Sequence, residues 1–161
     1  MAIDALITFE SVSAGVKPEA FEIKDFSFGV ENPTTIGSAT GGAGAGKVKF
    51  NEFTIKKTSD QASPAFFKNC CAGAHYKTVT ISMRKSGIET AGREFLRFKF
   101  DTVFTTKIDW SGPGDEGPQE SITFVYGKLG IKVTPQESSS RPVVAGWDQV
   151  TNKSADDFAG I

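Results

Sequence analysis

The sequence predicts a mainly β domain, an antiparallel barrel or sandwich flanked by one short helix. Three observations carry this reading. Several stretches alternate apolar and polar residues at period two and are separated by turn residues. Helix signals at both ends mark a single stretch, residues 63–73. The composition is turn-rich, with 17 glycines, and its aromatics are 14 phenylalanines against two tryptophans and two tyrosines, which suits core filling.

In chain order, residues 3–12 (IDALITFESV) form a first strand with Ile3, Ala5, Ile7 and Phe9 on one face. Residues 13–19 are a turn-rich link. Residues 20–30 (AFEIKDFSFGV) form a second strand in which Phe21 and Ile23 alternate, then Phe26, Phe28 and Val30 alternate in the other phase. The switch predicts a β-bulge. With Phe26 and Phe28 toward the core, Asp25, Ser27 and Gly29 share a small, polar face. A long glycine-rich loop follows and leads into a strand at 48–56. There Val48 and Phe50, then Phe53 and Ile55, change phase near Asn51 and Glu52, predicting a second bulge.

The helix is expected to start with Ser63 as N-cap and Pro64 at its first position, and to end at a left-handed Gly73. Phe66, Phe67, Cys70 and Cys71 give it an apolar stripe. So short a helix needs a sheet to pack on. Residues 76–85 form another strand, 86–93 a turn, and 94–110 one long bent strand or two. Residues 111–119 are a loop with two glycine–proline pairs. A long strand follows at 120–134, with Gly127 marking a bulge or a close approach, then a polar turn and a last strand at 142–150. Residues 154–161 (SADDFAGI) carry no clear local signal.

Several chemical readings fail on residue type and spacing. GGAGAGK at 41–47 approaches the phosphate-cradling pattern GxxxxGK[ST], but Val48 stands where a metal-holding hydroxyl belongs, and a strand follows instead of a helix. Cys70, Cys71 and His75 are too few for a zinc site. A Cys71–His75 nucleophile pair lacks a third orienting group, and adjacent cysteines bond to each other only under strain. Buried, small apolar cysteines are the expectation. The carboxylate pairs Asp115–Glu116 and Asp156–Asp157 fall in loop and tail and read as solvated surface. No GxSxG elbow is present. The reading is therefore not an enzyme, with no cofactor and no metal.

Lys and Arg number 18 against 19 Asp and Glu, with no basic block, which disfavours nucleic acid. No apolar run is long enough for membrane insertion by a helix. The first residues lack the layout of a signal peptide, and two neighbouring cysteines fit a reducing cytoplasm.

Six segments taken in order point further: FSFG at 26–29, GGAGAGKV at 41–48, SDQASPAFFKNCCAGAHY at 59–76, ISMRKSG at 81–87, ESITFVYGKLGIKVTPQ at 120–136 and GWD at 146–148. Together they resemble the Hcp family, the haemolysin-coregulated proteins of bacterial type VI secretion, over residues 1–153, with 154–161 as a tail outside the likeness. The resemblance implies an antiparallel β-barrel of two sheets with one short flanking α-helix, assembling as a hexameric ring. Such rings stack into an inner tube that meets sheath and spike proteins, carries small effector proteins in its lumen, and leaves the bacterial cytoplasm without a signal peptide. It places Ser27, with Asp25 on the same face, toward the lumen. It makes 32–47 a ring-stacking loop, with Asn32, Gly37, Gly41, Gly42, Gly44, Gly46 and Lys47 facing the neighbouring ring. The alternative is the tail-tube protein of a phage-like contractile injection particle.

Overall fold

The computed structural model describes residues 3–11, 20–35, 44–45, 47–85, 94–135 and 141–159. In chain order it contains β1 (Ile3–Ser11), β2 (Ala20–Glu22), β3 (Asp25–Ser27), β4 (Val30–Glu31), β5 (Thr34–Thr35), β6 (Gly44–Ala45), β7 (Lys49–Phe50) and β8 (Phe53–Thr58). There follow α1 (Ser63–Ala72), β9 (His75–Lys85), β10 (Glu94–Ser111), β11 (Gln119–Val133), β12 (Val143–Asp148), β13 (Lys153–Ser154) and α2 (Asp156–Ala159).

The hairpin of β10 and β11 is the spine. It pairs from Leu96↔Val133 to Ser111↔Gln119, so residues 94–110 are one strand. Its facing changes midway: Phe100 and Leu129 are buried on one side of the change, Val103 and Tyr126 on the other. The change falls where Thr102 stands opposite Gly127, with Thr102 at φ 54°. Gly127 itself marks neither a register shift nor a close approach, since a Cβ there would meet Val150 Cγ2 at an ordinary 3.5 Å. A β-branched residue in the left-handed region is strained. Thr102→Gly is expected to raise stability by about 1 kcal/mol, read as a later urea midpoint; an earlier midpoint would contradict the assignment of strain.

This twist lets one hairpin serve two sheets. Its β10 N-terminal half carries β9, then β1, then β2, while β12 and β13 extend from the second half of β11. The first half of β11 pairs with β8, and β8 with β3. Residues 20–27 close the circuit: Ile23 N–H donates to Ala5 O at 3.1 Å, and Lys24 N–H donates to Lys56 O at 3.0 Å. The phase switch in 20–30 is therefore a crossing between sheets instead of a bulge. At Asn51–Glu52 the phase likewise changes because the strand changes partner, β7 pairing with β4 and β8 with β3 and β11. A half-step in the pleat re-aims the apolar set when the chain moves to a new wall.

Phenylalanines fill the interior. Phe53 stacks on Phe100 at 4.5 Å and 13°, and Phe9 meets Phe66 edge-on at 5.0 Å and 73°. The helix differs from expectation in two ways. Ser63 is its first residue and Ala62 its N-cap, so the Ser63 hydroxyl instead accepts the Asp60 N–H at 2.9 Å. The buried stripe is Ala62, Phe66 and Asn69; Phe67 is 54% exposed, Cys70 half-buried and Cys71 exposed. At about 100° per residue the stripe through 62, 66 and 69 leaves 67 and 71 more than 90° away from it and 70 at its margin. The predicted burial of both cysteines fails for that reason. Gly73 does cap left-handed at φ 67°.

Two segments read as irregular are partly regular. The glycine-rich stretch is a ribbon at its described residues, Val30↔Phe50 and Glu31↔Lys49 continuing to Thr34↔Ala45 and Thr35↔Gly44. Gly37, Gly41, Gly42 and Gly46 lie outside the described residues. The tail forms β13 and α2.

Candidate functional site

The sheet β3–β8–β11–β10 turns Phe53, Ile55, Ile122 and Phe124 inward, all fully buried. Alternation then sends the residues between them outward, and register sorts these into cross-strand rows. One row is Asp25, Lys56, Ser121 and Asp109. The next is Ser27, Thr54, Thr123 and Lys107, and a third is Thr58, Gln119 and Ser111. Every member is polar, and the cations Lys56 and Lys107 balance Asp25 and Asp109. The Thr54 and Thr123 hydroxyls lie 3.2 Å apart, Gln119 Nε2 donates to Thr58 Oγ1 at 3.3 Å, and Lys107 pairs with Asp109 at 3.3 Å. Asp25 and Ser27 are both exposed here, as the alternation of 25–29 predicts.

Beneath the third row lies a buried ion pair. Lys57 and Glu120 face each other across β8 and β11 with side chains 2% and 1% exposed. Lys57 Nζ donates to Glu120 Oε2 at 3.0 Å, to Asp60 Oδ1 at 2.9 Å and to Thr58 O at 3.1 Å, and sits 5.5 Å from the Phe21 ring centre. Trp110 Nε1 donates to Glu120 Oε1 at 3.0 Å. Burial pushes the Glu120 carboxyl up, but hydrogen bonds from Ser63, Lys57 and Trp110, with the Lys57 charge, outweigh it and hold the group below its ordinary 4.5. The network ties the start of α1 to the barrel end. Sequence reasoning missed it, although the signal was present: Lys57 continues the inward phase of Phe53 and Ile55, and Glu120 that of Ile122 and Phe124.

The ribbon forms a second surface. Phe50 stacks on Tyr126 at 5.3 Å, and Glu31 pairs with Lys49 at 3.7 Å. Val30, Val48 and Phe50 face Leu129, Ile131, Ala145 and Trp147 across an apolar groove of about 260 Å³. Burial raises the Tyr126 hydroxyl pKa, and that hydroxyl has no partner among the described residues. Asn32 and Lys47 are exposed on the ribbon, and Gly44 belongs to β6.

The remaining candidates lie at the surface. Lys47 precedes a strand, not a helix N-terminus. Cys71 and His75 are exposed, and His75 packs on Phe104 at 5.4 Å between ring centres. Glu116 pairs with Lys24 at the surface. Among the described residues no cluster of three or more His, Cys, Asp or Glu is placed to hold a metal, and no helix is long and apolar enough to cross a membrane.

A family described as "Type VI secretion system effector, Hcp" matches residues 2–133. Among solved structures, a type six secretion system protein superposes with a TM-score of 0.82 at 24% identity, over 96% of this chain and 100% of that one. Hcp1 from Salmonella typhimurium superposes at 0.74 and 21% identity, over 96% and 100%. The tube-terminating cap of the anti-feeding prophage superposes at 0.56 and 12% identity, over 81% and 88%. No curated protein matches the sequence.

Proposed function

Because the chain belongs to the Hcp family of the type VI secretion system, a family of secreted tube proteins, we propose that it closes into a hexameric ring whose lumen is walled by the polar face bearing Asp25 and Ser27. The observation that carries this reading is the composition of that face. Three cross-strand rows hold no apolar side chain, which suits a water-filled channel; the polar wall ends at the next outward pair, Phe104 and Val125, and other exposed apolar residues lie at Val143, Trp147 and Ile131. A hydroxyl-lined, charge-balanced wall accepts polar effector surfaces by hydrogen bonding without gripping them.

Rings would stack through the ribbon, with Asn32 and Lys47 and the glycines Gly37, Gly41, Gly42, Gly44 and Gly46 meeting the next ring. Sheath and spike proteins of the secretion machine are its further partners, and effectors its lumen cargo. The protein starts in the bacterial cytoplasm and performs no catalysis in this role. The likeness to a prophage tube cap supports the phage-like alternative at the level of fold alone, and the family match favours type VI secretion.

Light-scattering mass after size exclusion, with images of the same peak, tests the ring. The expected result is six subunits of 17.2 kDa each in annular particles. A monomer at every concentration, with or without the ribbon, sinks it.

A further inference from the structure

Residues 153–158 engage the outer edge of β12 in a way no sheet ladder alone requires. β13 pairs there at Trp147↔Ser154 and Asp148↔Lys153. Beyond that short ladder a side chain takes over: Gly146 N–H donates to Asp156 Oδ1 at 2.9 Å, and Gly146 O accepts the Ala155 N–H at 2.8 Å. Both outward backbone groups of Gly146 are thereby used. Asp156 is held in place by the Ser154 hydroxyl, which donates to the same oxygen at 3.1 Å.

A second contact anchors the segment from the sheet face. Gly130 and Gly146 stand opposite each other across β11 and β12, and Lys99 stands opposite Gly130 on β10. The row therefore lacks side chains at two successive positions. α2 packs on β12 and β11, and the Phe158 ring lies under Lys99 Nζ at 4.4 Å and Lys128 Nζ at 5.0 Å. Two ammonium groups over one ring fix it electrostatically as well as by area. The turn that delivers the segment is set by Asp148, whose Oδ1 accepts the Val150 N–H at 2.9 Å and the Thr151 N–H at 3.2 Å.

An uncovered β12 would be hazardous. Without the segment, the outward N–H and C=O groups from Gly146 to Asp148 would lie open beside Trp147, 38% exposed. An open edge next to apolar side chains is a template for another strand. Such strands exist on the same molecule: among the described residues β3 pairs on one side only, and β10 beyond Phe104 does so too.

We propose that residues 153–158 are an edge lock, seated on β12 from Gly146 to Asp148 so that a strand of a second copy of this chain cannot add there. The lock acts within a single subunit and does not rest on the ring reading. It directs association away from this edge, leaving other faces for assembly.

Two variants test it, Phe158→Ala and Asp156→Ala. Amide hydrogen exchange at Gly146 is measured together with light-scattering mass over a concentration series. In both variants Gly146 exchange should rise about tenfold or more, the Ile81 and Phe124 amides should keep their protection, and the mass should climb with concentration beyond that of the parent. If Phe158→Ala loses protection at Ile81 as well, Asp156→Ala decides, since Asp156 is exposed and touches only this edge. Exchange within about twofold of the parent overturns the proposal, and so does faster exchange with an unchanged mass.

Discussion

Lys57→Ala should lower stability by about 3–5 kcal/mol, because it strands a carboxylate that is almost wholly shielded from water. At this chain length that is a fall of roughly 6–20 °C in Tm, compared at fixed subunit concentration so that assembly does not enter. Glu120 would keep the Trp110 indole N–H, yet its charge would lose the ammonium at 3.0 Å. The double variant Lys57→Met/Glu120→Leu should cost far less, because it removes both charges and fills the volume with apolar atoms. A single variant no worse than the double would show that the pair carries no such penalty.

The same pair sets an acid limit. The Glu120 pKa is depressed in the fold, so its contribution is complete above the ordinary 4.5 and is lost as pH falls through the lower folded value. Glu120→Gln should flatten the decline of stability below pH 4.5 while costing stability at neutral pH. A variant whose decline parallels the parent's would assign acid sensitivity to other carboxylates.

Phe53→Ala is the second large effect, expected at about 3–5 kcal/mol. Its ring stacks on Phe100 at 4.5 Å and Phe124 at 5.5 Å and is met edge-on by Phe28 at 5.9 Å, so truncation opens a cavity with aromatic walls from both sheets. Those walls sit on strands held by continuous ladders and cannot collapse inward cheaply. Phe53→Leu should cost about 1.5 kcal/mol or less, since it retains most of the volume. Urea unfolding at fixed protein concentration measures both; equal losses for the two would mean that the site relaxes around a void.

Much of this was legible in the chain. Alternation found each of the long strands, and Gly73 marked the helix end. Glycine–proline pairs marked the loop between β10 and β11. The outward placement of Asp25 and Ser27 followed from Phe26 and Phe28 alone. Other features were misread because local pattern is blind to partners. The phase switches near Ile23 and Asn51 were read as bulges, since one strand's sequence does not say that its two halves hydrogen-bond to different sheets. The helix stripe was read as 66, 67, 70 and 71, since apolarity does not choose among faces until a sheet is present. Phe158 gave no signal because its partners, Lys99 and Lys128, lie on strands far away in sequence.

By itself the sequence determined the class of fold, the strand and turn succession, and the polar character of residues that flank the core phenylalanines. These depend on period-two patterning and turn chemistry, which act over a few residues. The tertiary structure alone decided which wall each strand joins, that three polar rows align into one face, that Lys57 and Glu120 meet in the interior, and that residues 153–158 pair with β12 from Gly146 to Asp148. Each of those is a coincidence of positions from distant parts of the chain, settled by register and closure of the barrel.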